Sequence, residues 1–284
     1  MGNIIWLASY PKSGNTWFRA FLSALFSEDF TVDINNLTVN KYVADTTMFE
    51  NATNLNASEL LRKEIDELKP EVMRYYASLS DENIYVKIHD KFKLLGDEVP
   101  IIPIEETKVV LYFVRNPLDV VVSYAHHDNL SLDRVIERMN QNYLLFDNKN
   151  REFFNLPEEL GTWSNHVLSW NSNDLIKVHT IRFEDMVLDT AMIFKQAVEA
   201  MGLSYSEEEI IKAINSCEFI KLQEQENKTS FKEKSSAAPN FFRRGKIGNW
   251  REHLNKVQVD KIIEDHYAMM LQLNYIDVDG SPLY

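Results

Sequence analysis

The sequence predicts an α/β fold in three layers, with a central, mostly parallel sheet flanked by helices. Three observations predict it. Continuous apolar runs at residues 3–9 and 108–117 have the pattern of strands buried on both faces. Stretches with apolar residues at helical spacing lie between and after such runs. Strand and helix signals alternate along the chain, as crossover connections in a parallel sheet require.

NIIWLAS at 3–9 is the first strand. TWFRAFLSALF at 16–26 is a helix with Trp17, Phe21, Leu22 and Leu25 on one side, and Asn15 or Thr16 is placed to cap it. Residues 27–57 are polar and mixed, and read as loop with short helical pieces. Residues 57–79 read as a helix with Pro70 as its point of interruption. NIYVKIHD at 83–90 alternates and is rich in β-formers, a second strand. KVVLYFVRNP at 108–117 is the strongest strand signal, and a helix starts at 118–127. Further helices are expected at 130–146, 161–172, 189–201, 206–214 and 258–275, with a strand in 174–186 ending near Arg182. Residues 223–240, containing a Ser-Ser-Ala-Ala-Pro run, read as loop. No repeat or linker breaks the pattern, so residues 1–284 are expected to form one domain.

The composition is that of an ordinary globular protein, 45% apolar with 8 Pro and 8 Gly. The formal net charge of −13 argues against general electrostatic binding of nucleic acid. A single cysteine, Cys217, excludes an internal disulfide and a thiolate metal cluster, and fits a reducing, cytoplasmic setting. The N-terminal apolar run has no basic leader and stops at Tyr10-Pro11. No stretch approaches the roughly 20 apolar residues that span a bilayer, so neither a signal peptide nor a membrane partner is expected.

Three segments carry chemistry. The first is SYPKSGNTW at 9–17, a turn between the first strand and the first helix. Such a turn offers helix N-terminal amides to an anion, Lys12 adds charge, Ser13, Asn15 and Thr16 add donors, and Gly14 lets the backbone approach closely. Lysine precedes the glycine, so this is neither the GxxxxGK[ST] nucleotide loop nor a GxGxxG fingerprint. Physics alone leaves two readings: a phosphate site, or a polar turn whose lysine faces water. The second segment is FVRNPLDVVVSY at 113–124. Arg115 ends the best strand, where open α/β sheets bind ligands, and Ser123 follows two helical turns later. Arg115 is suited to a phosphate or, alternatively, to an ion pair with Asp119; Ser123 to a donor or a packing contact. The third is NFFRRGKIGNWREHL at 240–254. Residues 227–256 hold eight Lys or Arg against two acids, a reversal within an acidic chain. A clamp over an anion and a solvated basic loop both fit it.

Together these segments resemble the cytosolic-type sulfotransferases that use 3′-phosphoadenosine 5′-phosphosulfate, PAPS. YPKSGNTW is similar to the family's 5′-phosphosulfate loop, YPKSGTTW. RNPLDVVVS at 115–123 satisfies its 3′-phosphate segment, RNPxDxxVS. RRGKIGNW at 243–250 resembles RKGxxGDW, with Arg244 for lysine and Asn249 for aspartate. The matches span the chain in order, and the N-terminal wording looks most like bacterial members acting in secondary metabolism. The resemblance implies a P-loop-like version of the fold, with PAPS as cosubstrate, PAP as product and no metal required.

It also implies roles. VKIH, residues 86–89, matches the KTH segment that carries the catalytic histidine, which gives His89 and Lys87; without the resemblance a satisfied strand histidine is the better reading. FEDM places Phe183 where the family has an adenine-side tyrosine. CEF at 217–219 stands for the base-contacting Thr-Ser-Phe, giving Cys217 and Phe219, and Trp17 lies against adenine in the family. His89 is then the general base, Lys12 stabilises the leaving nucleotide and Lys87 orients the sulfuryl oxygens. Ser13, Gly14, Asn15 and Thr16 hold the 5′ side, and Arg115, Ser123, Arg243, Arg244 and Gly245 hold the 3′-phosphate.

The expected acceptor is a small molecule with a hydroxyl or nitrogen. Segments 31–57, 88–104, 124–160 and 223–240 are expected to build its pocket, with His126, His127, Tyr143, Phe146, Phe153 and Phe154 as candidates. Asp90, Asp128, Asp133 and Glu137 favour a cationic alkaloid or a neutral molecule over a sulfated glycan. A β-hydroxyacyl chain on a carrier protein is the competitor, disfavoured by the acidic surface. A homo-oligomer is left open, since NKVQVDKIIE at 255–264 only faintly echoes the family dimer segment. A kinase with an unusual loop and a non-catalytic nucleotide-binding module are the rival classes.

Overall fold

Ile4–Ser9 forms β1, and all six residues are buried, as its unbroken apolar run requires. The structure is a computed structural model. It describes residues 2–96, 98–145 and 155–284 in full, and the strand backbone alone at 146–149 and 152–154. After β1 come α1 (Asn15–Leu25), β2 (Lys41–Tyr42), α2 (Thr46–Thr53), a 3-10 turn (Ala57–Glu59), α3 (Arg62–Ser78) and β3 (Ile84–Ile88). Two short strands follow, β4 (Leu94–Leu95) and β5 (Val99–Pro100), then β6 (Thr107–Val114), α4 (Pro117–Asp128) and α5 (Leu132–Met139). The hairpin β7 (Tyr143–Lys149) and β8 (Glu152–Gly161) precedes α6 (Trp163–Asn171) and β9 (Val178–Arg182). The chain ends with α7 (Phe183–Leu188), α8 (Thr190–Ala200), α9 (Glu207–Ser216), α10 (Phe219–Thr229), a 3-10 turn (Asn249–Glu252) and α11 (Lys256–Gln272).

The central parallel sheet has strand order β2-β3-β1-β6-β9. β1 and β3 pair from Ile4↔Ile84 to Ala8↔Ile88, and β2 pairs with β3 through Lys41↔Val86 and Tyr42↔Lys87. Along β3 the buried residues alternate with half-buried ones, so Tyr85 and Lys87 share one face. His89 continues that face just beyond the strand.

The chain divides into two compact units. The first comprises Met1–Tyr10, Asn40–Tyr112 and Asn142–Thr180. Its core is built on Trp6, Tyr112, Trp163 and Trp170, all fully buried. The indole N–H of Trp6 donates to Thr107 Oγ1 at 2.9 Å, so the ring is buried with its polar atom satisfied. The second comprises Pro11–Val39, Phe113–Gln141 and Ile181–Tyr284. Here Phe18, Phe21, Phe113 and Phe194 form an aromatic cluster with centroids 4.5–5.5 Å apart.

The four strands the sequence predicts are β1, β3, β6 and β9, and most helices lie near their expected places; β2, β4, β5 and β8 come without a sequence expectation, and the other departures have physical reasons. Neither Asn15 nor Thr16 caps α1: Gly14, at φ 101°, occupies the N-cap and supplies no side-chain bond. Pro70 does not interrupt α3 and lies inside it. Proline there removes one intrahelical amide and crowds the carbonyl four residues earlier, a cost that packing offsets, since Pro70 is buried with Val72 and Met73. The tail of 130–146 is β7 instead of helix, a short apolar run that periodicity cannot assign. Residues 223–229 belong to α10, whose Gln, Glu and Lys are good helix formers and which buries Leu222 and Glu226, while 230–240 is loop as expected.

Candidate active site

The turn after β1 belongs to the second unit. Lys12 takes a left-handed φ of 71° and Gly14 a φ of 101°. A Cβ on Gly14 would also stand 2.8 Å from the Phe183 ring, so glycine is required on both counts. α1 starts here without a side-chain cap, which leaves its first amides and its positive end for an anion. Ser13 is fully buried, and its hydroxyl has no hydrogen-bond partner among the described residues.

Arg115 comes to this turn from the end of β6. Its Nη1 donates to the Lys12 carbonyl at 3.4 Å and its Nη2 to the Lys246 carbonyl at 3.0 Å. The guanidinium lies 4.2 Å from the centre of the Phe183 ring, while its buried Nε has no partner among the described residues. The three segments that carry chemistry in the sequence therefore meet at one arginine. The ion pair with Asp119 also exists, at 3.8 Å. Asp119 does more than neutralise: its carboxylate accepts the Gly248 amide at 2.8 Å and the Trp250 amide at 3.0 Å, fastening the C-terminal basic segment to the start of α4. Glu184 is buried, accepts the Asn116 amide and the Tyr275 hydroxyl, both at 3.0 Å, and so fixes the residue that follows Arg115.

The basic segment is braced from below. Glu226 of α10 accepts the Phe241 and Phe242 amides at 2.6 and 2.8 Å. Gly245, at φ 58°, lies against Phe219, where any side chain would collide with the ring. Arg243 is held below the usual guanidinium range by burial, then by Arg244 and Arg115, so three like charges converge. Arg244 is exposed and pairs with Glu252 and with Asn249. Lys12 Nζ lies 4.1 Å from the Phe241 ring centre, and His127 meets the same ring edge-on.

Other expected nucleotide residues have these places. Trp17 is half-buried; its indole N–H donates to the Cys217 carbonyl at 3.0 Å. The Cys217 thiol is buried, points to the Ile214 carbonyl, and is pushed up to about 12 by burial. Phe183 is the floor under Arg115 and Gly14, and Ser123 is half-exposed on α4.

His89, in the first unit, is 8% exposed. Its Nδ1 lies 2.7 Å from the Ser9 carbonyl, which can only accept, so Nδ1 carries the proton and Nε2 is the basic nitrogen. The Ser9 hydroxyl is 3.3 Å from the same nitrogen. The His89 amide donates to Glu158 Oε1 at 2.7 Å, and its carbonyl accepts from His166 Nε2 at 3.0 Å. His166 is lowered to about 4 by burial, so it is neutral here, and its Nδ1 accepts the Tyr112 hydroxyl at 2.8 Å. The other Glu158 oxygen accepts from Tyr42. Lys69, fully buried, binds Asp90 at 2.8 Å, Asp66 at 3.1 Å and the Pro157 carbonyl at 2.7 Å.

Reading the sequence misses Tyr42, Glu158 and Lys69. No motif marks them; only the β2–β3 register brings Tyr42 opposite Lys87. The acids read as favouring a cationic acceptor are committed to protein partners. Asp90 pairs with Lys69, Asp128 with Arg138, Asp133 with Gln258 and Glu137 with Arg134. His126 is bonded to Asn240 at 2.9 Å. Phe146, Phe153 and Phe154 lie outside the described residues. Among those residues no group of three or more His, Cys, Asp or Glu could hold a metal ion, and no helix is long and apolar enough to cross a membrane.

A parallel α/β sheet and an arginine-lined turn at an uncapped helix define a protein built to hold an anionic ligand. The family model described as sulfotransferase domain matches residues 3–273, and the chain belongs to the sulfotransferase family of enzymes. It is 26% identical to flavonol 3-sulfotransferase of Flaveria bidentis over 92% of this chain and 79% of the relative. It is 24% identical to luciferin sulfotransferase of Photinus pyralis over 91% and 69% of the two chains. A mouse sulfotransferase complexed with PAP superposes with a TM-score of 0.58 at 20% identity, over 94% of this chain and 84% of that one. Retinol dehydratase in complex with androsterone and PAP gives 0.63 at 17% identity, over 94% and 80%. These solved structures share the fold.

Proposed function

We propose that the protein transfers a sulfuryl group from PAPS to a hydroxyl of a small molecule. One observation carries the reading: Arg115 joins the opening turn, the end of the central strand and the C-terminal basic segment. The buried Ser13 hydroxyl and Arg115 Nε, both without partners among the described residues, and an Arg243 that feels the charges of Arg244 and Arg115 fit a ligand bearing phosphate at two places. The complexes of mouse sulfotransferase and retinol dehydratase with PAP support that nucleotide.

PAPS supplies the sulfuryl group: its S–O bond to the nucleotide phosphate breaks as the acceptor O–S bond forms. The turn amides, Ser13, Gly14, Asn15 and Thr16 hold the 5′ side, and Arg115, Ser123, Arg243, Arg244 and Gly245 hold the 3′-phosphate. Phe219 and Trp17 bound the base, while Phe183 and Cys217 act from beneath by supporting Arg115 and Trp17. Lys12 stabilises negative charge on the departing phosphate oxygen, and Lys87 orients the sulfuryl oxygens. His89 Nε2 takes the acceptor proton, a role for which its Nδ1–H tautomer is already set.

A neutral hydroxylated secondary metabolite is the acceptor we favour. The acids that favoured a cation are paired, and the relative named for flavonols supports this class. The test is a melting-temperature screen with PAP, ATP and NAD, followed by transfer from labelled PAPS to quercetin, 4-nitrophenol and a metabolite extract. PAP alone should stabilise the fold, and label should appear on a hydroxyl. Stabilisation by ATP with magnesium, or no labelled product, overturns the reading.

A further inference from the structure

Sulfuryl transfer needs an imidazole and an ammonium at fixed places, and one side chain touches both. β2 pairs with β3 so that Tyr42 lies opposite Lys87, whose Nζ is 4.4 Å from the centre of the Tyr42 ring. The same ring meets the His89 imidazole edge-on, with centroids 6.0 Å apart and planes at 75°. Its hydroxyl donates to one oxygen of Glu158, and the other oxygen accepts the His89 amide at 2.7 Å. Glu158 is 1% exposed, so both bonds lie away from water, where they are strong and directional. Burial and Asp90 raise its carboxyl to about 7, while Lys69 opposes them. The carboxyl is thus poised, with Tyr42 and the His89 amide as its two donors.

We propose that Tyr42, anchored by Glu158, is a positioning residue that sets the separation and orientation of His89 and Lys87. It rests on the sulfuryl-transfer reading. The ring gives the ammonium a π face and meets the imidazole in a T-shaped contact. The carboxylate ties the phenol to the main chain of the base, so the three groups move as one. Residues that place reacting groups change turnover more than ligand affinity.

Tyr42→Phe keeps the ring and removes the hydroxyl; Tyr42→Leu removes both. Each is compared with wild type for transfer from PAPS to quercetin and 4-nitrophenol, for PAP affinity by calorimetry, and for imidazole nitrogen resonances. The His89 signals are assigned by their loss in His89→Gln, and His166 is the internal control. Tyr42→Phe should lower kcat about tenfold and Tyr42→Leu about a hundredfold, with PAP affinity within about twofold. The His89 resonances should move in Tyr42→Leu while those of His166 stay. Unchanged kcat in both variants, a matching loss of PAP affinity, or unmoved His89 resonances overturns the inference. The resonance measurement needs no acceptor, and Tyr42→Phe, which preserves the packed ring, covers a Tyr42→Leu chain that fails to fold. A wild type that neither binds PAP nor uses PAPS sinks the parent reading; an active wild type matched by Tyr42→Leu sinks this inference alone.

Discussion

His89→Ala removes the group proposed to take the acceptor proton and leaves the turn and the arginines of the second unit untouched. Turnover should fall by about 100-fold or more while calorimetry finds PAP affinity little changed. Arg115→Ala should act the other way, raising the PAP dissociation constant at least about tenfold and erasing the preference for PAP over adenosine 5′-phosphate. Glu158 makes a prediction about stability. Its folded pKa lies above the ordinary 4.5, at about 7, so its contribution is fully present below pH 4.5 and is lost as pH rises through 7. His166 works in the opposite sense: with a folded pKa of about 4 against 6.5, it costs stability as pH falls from 6.5 towards 4. The two partly cancel in the wild type. Glu158→Gln separates them: the stability difference between wild type and variant should fall by up to about 3 kcal/mol between pH 4.5 and 7, read from urea midpoints. At this scale the sequence speaks through motifs. Lys12, Arg115 and the Arg243–Arg244 pair are legible because charge stands at strand ends and turns. His89 needs the family resemblance, since one strand histidine looks like another. Tyr42 and Glu158 are invisible, because their meaning arises from tertiary contacts: Tyr42 lies opposite Lys87 across two strands and bonds Glu158, 116 residues away.

The turn between β1 and α1 depends on a backbone that other residues resist. Gly14→Ala would place a methyl 2.8 Å from Phe183 at φ 101°, costing about 1–2 kcal/mol or displacing the ring beneath Arg115. A lower melting temperature together with weaker PAP binding should follow. Asp119 joins α4 to the C-terminal segment through two amides, and Asp119→Asn leaves a single carbonyl oxygen to receive both. Residues 240–248 should then become more open to limited proteolysis, and PAP affinity should fall; undiminished affinity and unchanged cleavage would refute this role. β1, β3, β6 and the amphipathic helices are readable from their apolar patterns, whereas β7 reads as helix and β8 leaves no signal. α10 is not readable either, because its residues are polar almost throughout and only Leu222 and Glu226 turn inward. β2 escapes notice because two residues carry no period, although those two place Tyr42.

For the molecule as a whole, charge is unevenly spread: the chain carries −13, yet residues 227–256 are basic, and Arg243 of that stretch feels the charge of Arg115. Binding of PAP should weaken as salt rises, because an attraction localised against a repulsive background is screened. Equal affinity at about 20 and about 500 mM salt would contradict it. The lone sulfhydryl adds a practical dividend. Cys217 is enclosed and held protonated, so maleimide reagents should pass over the native fold. A cysteine introduced at the exposed position of Lys246 would accept a fluorophore or spin label alone, without first clearing a background, and would report directly on whether the basic segment closes as nucleotide arrives.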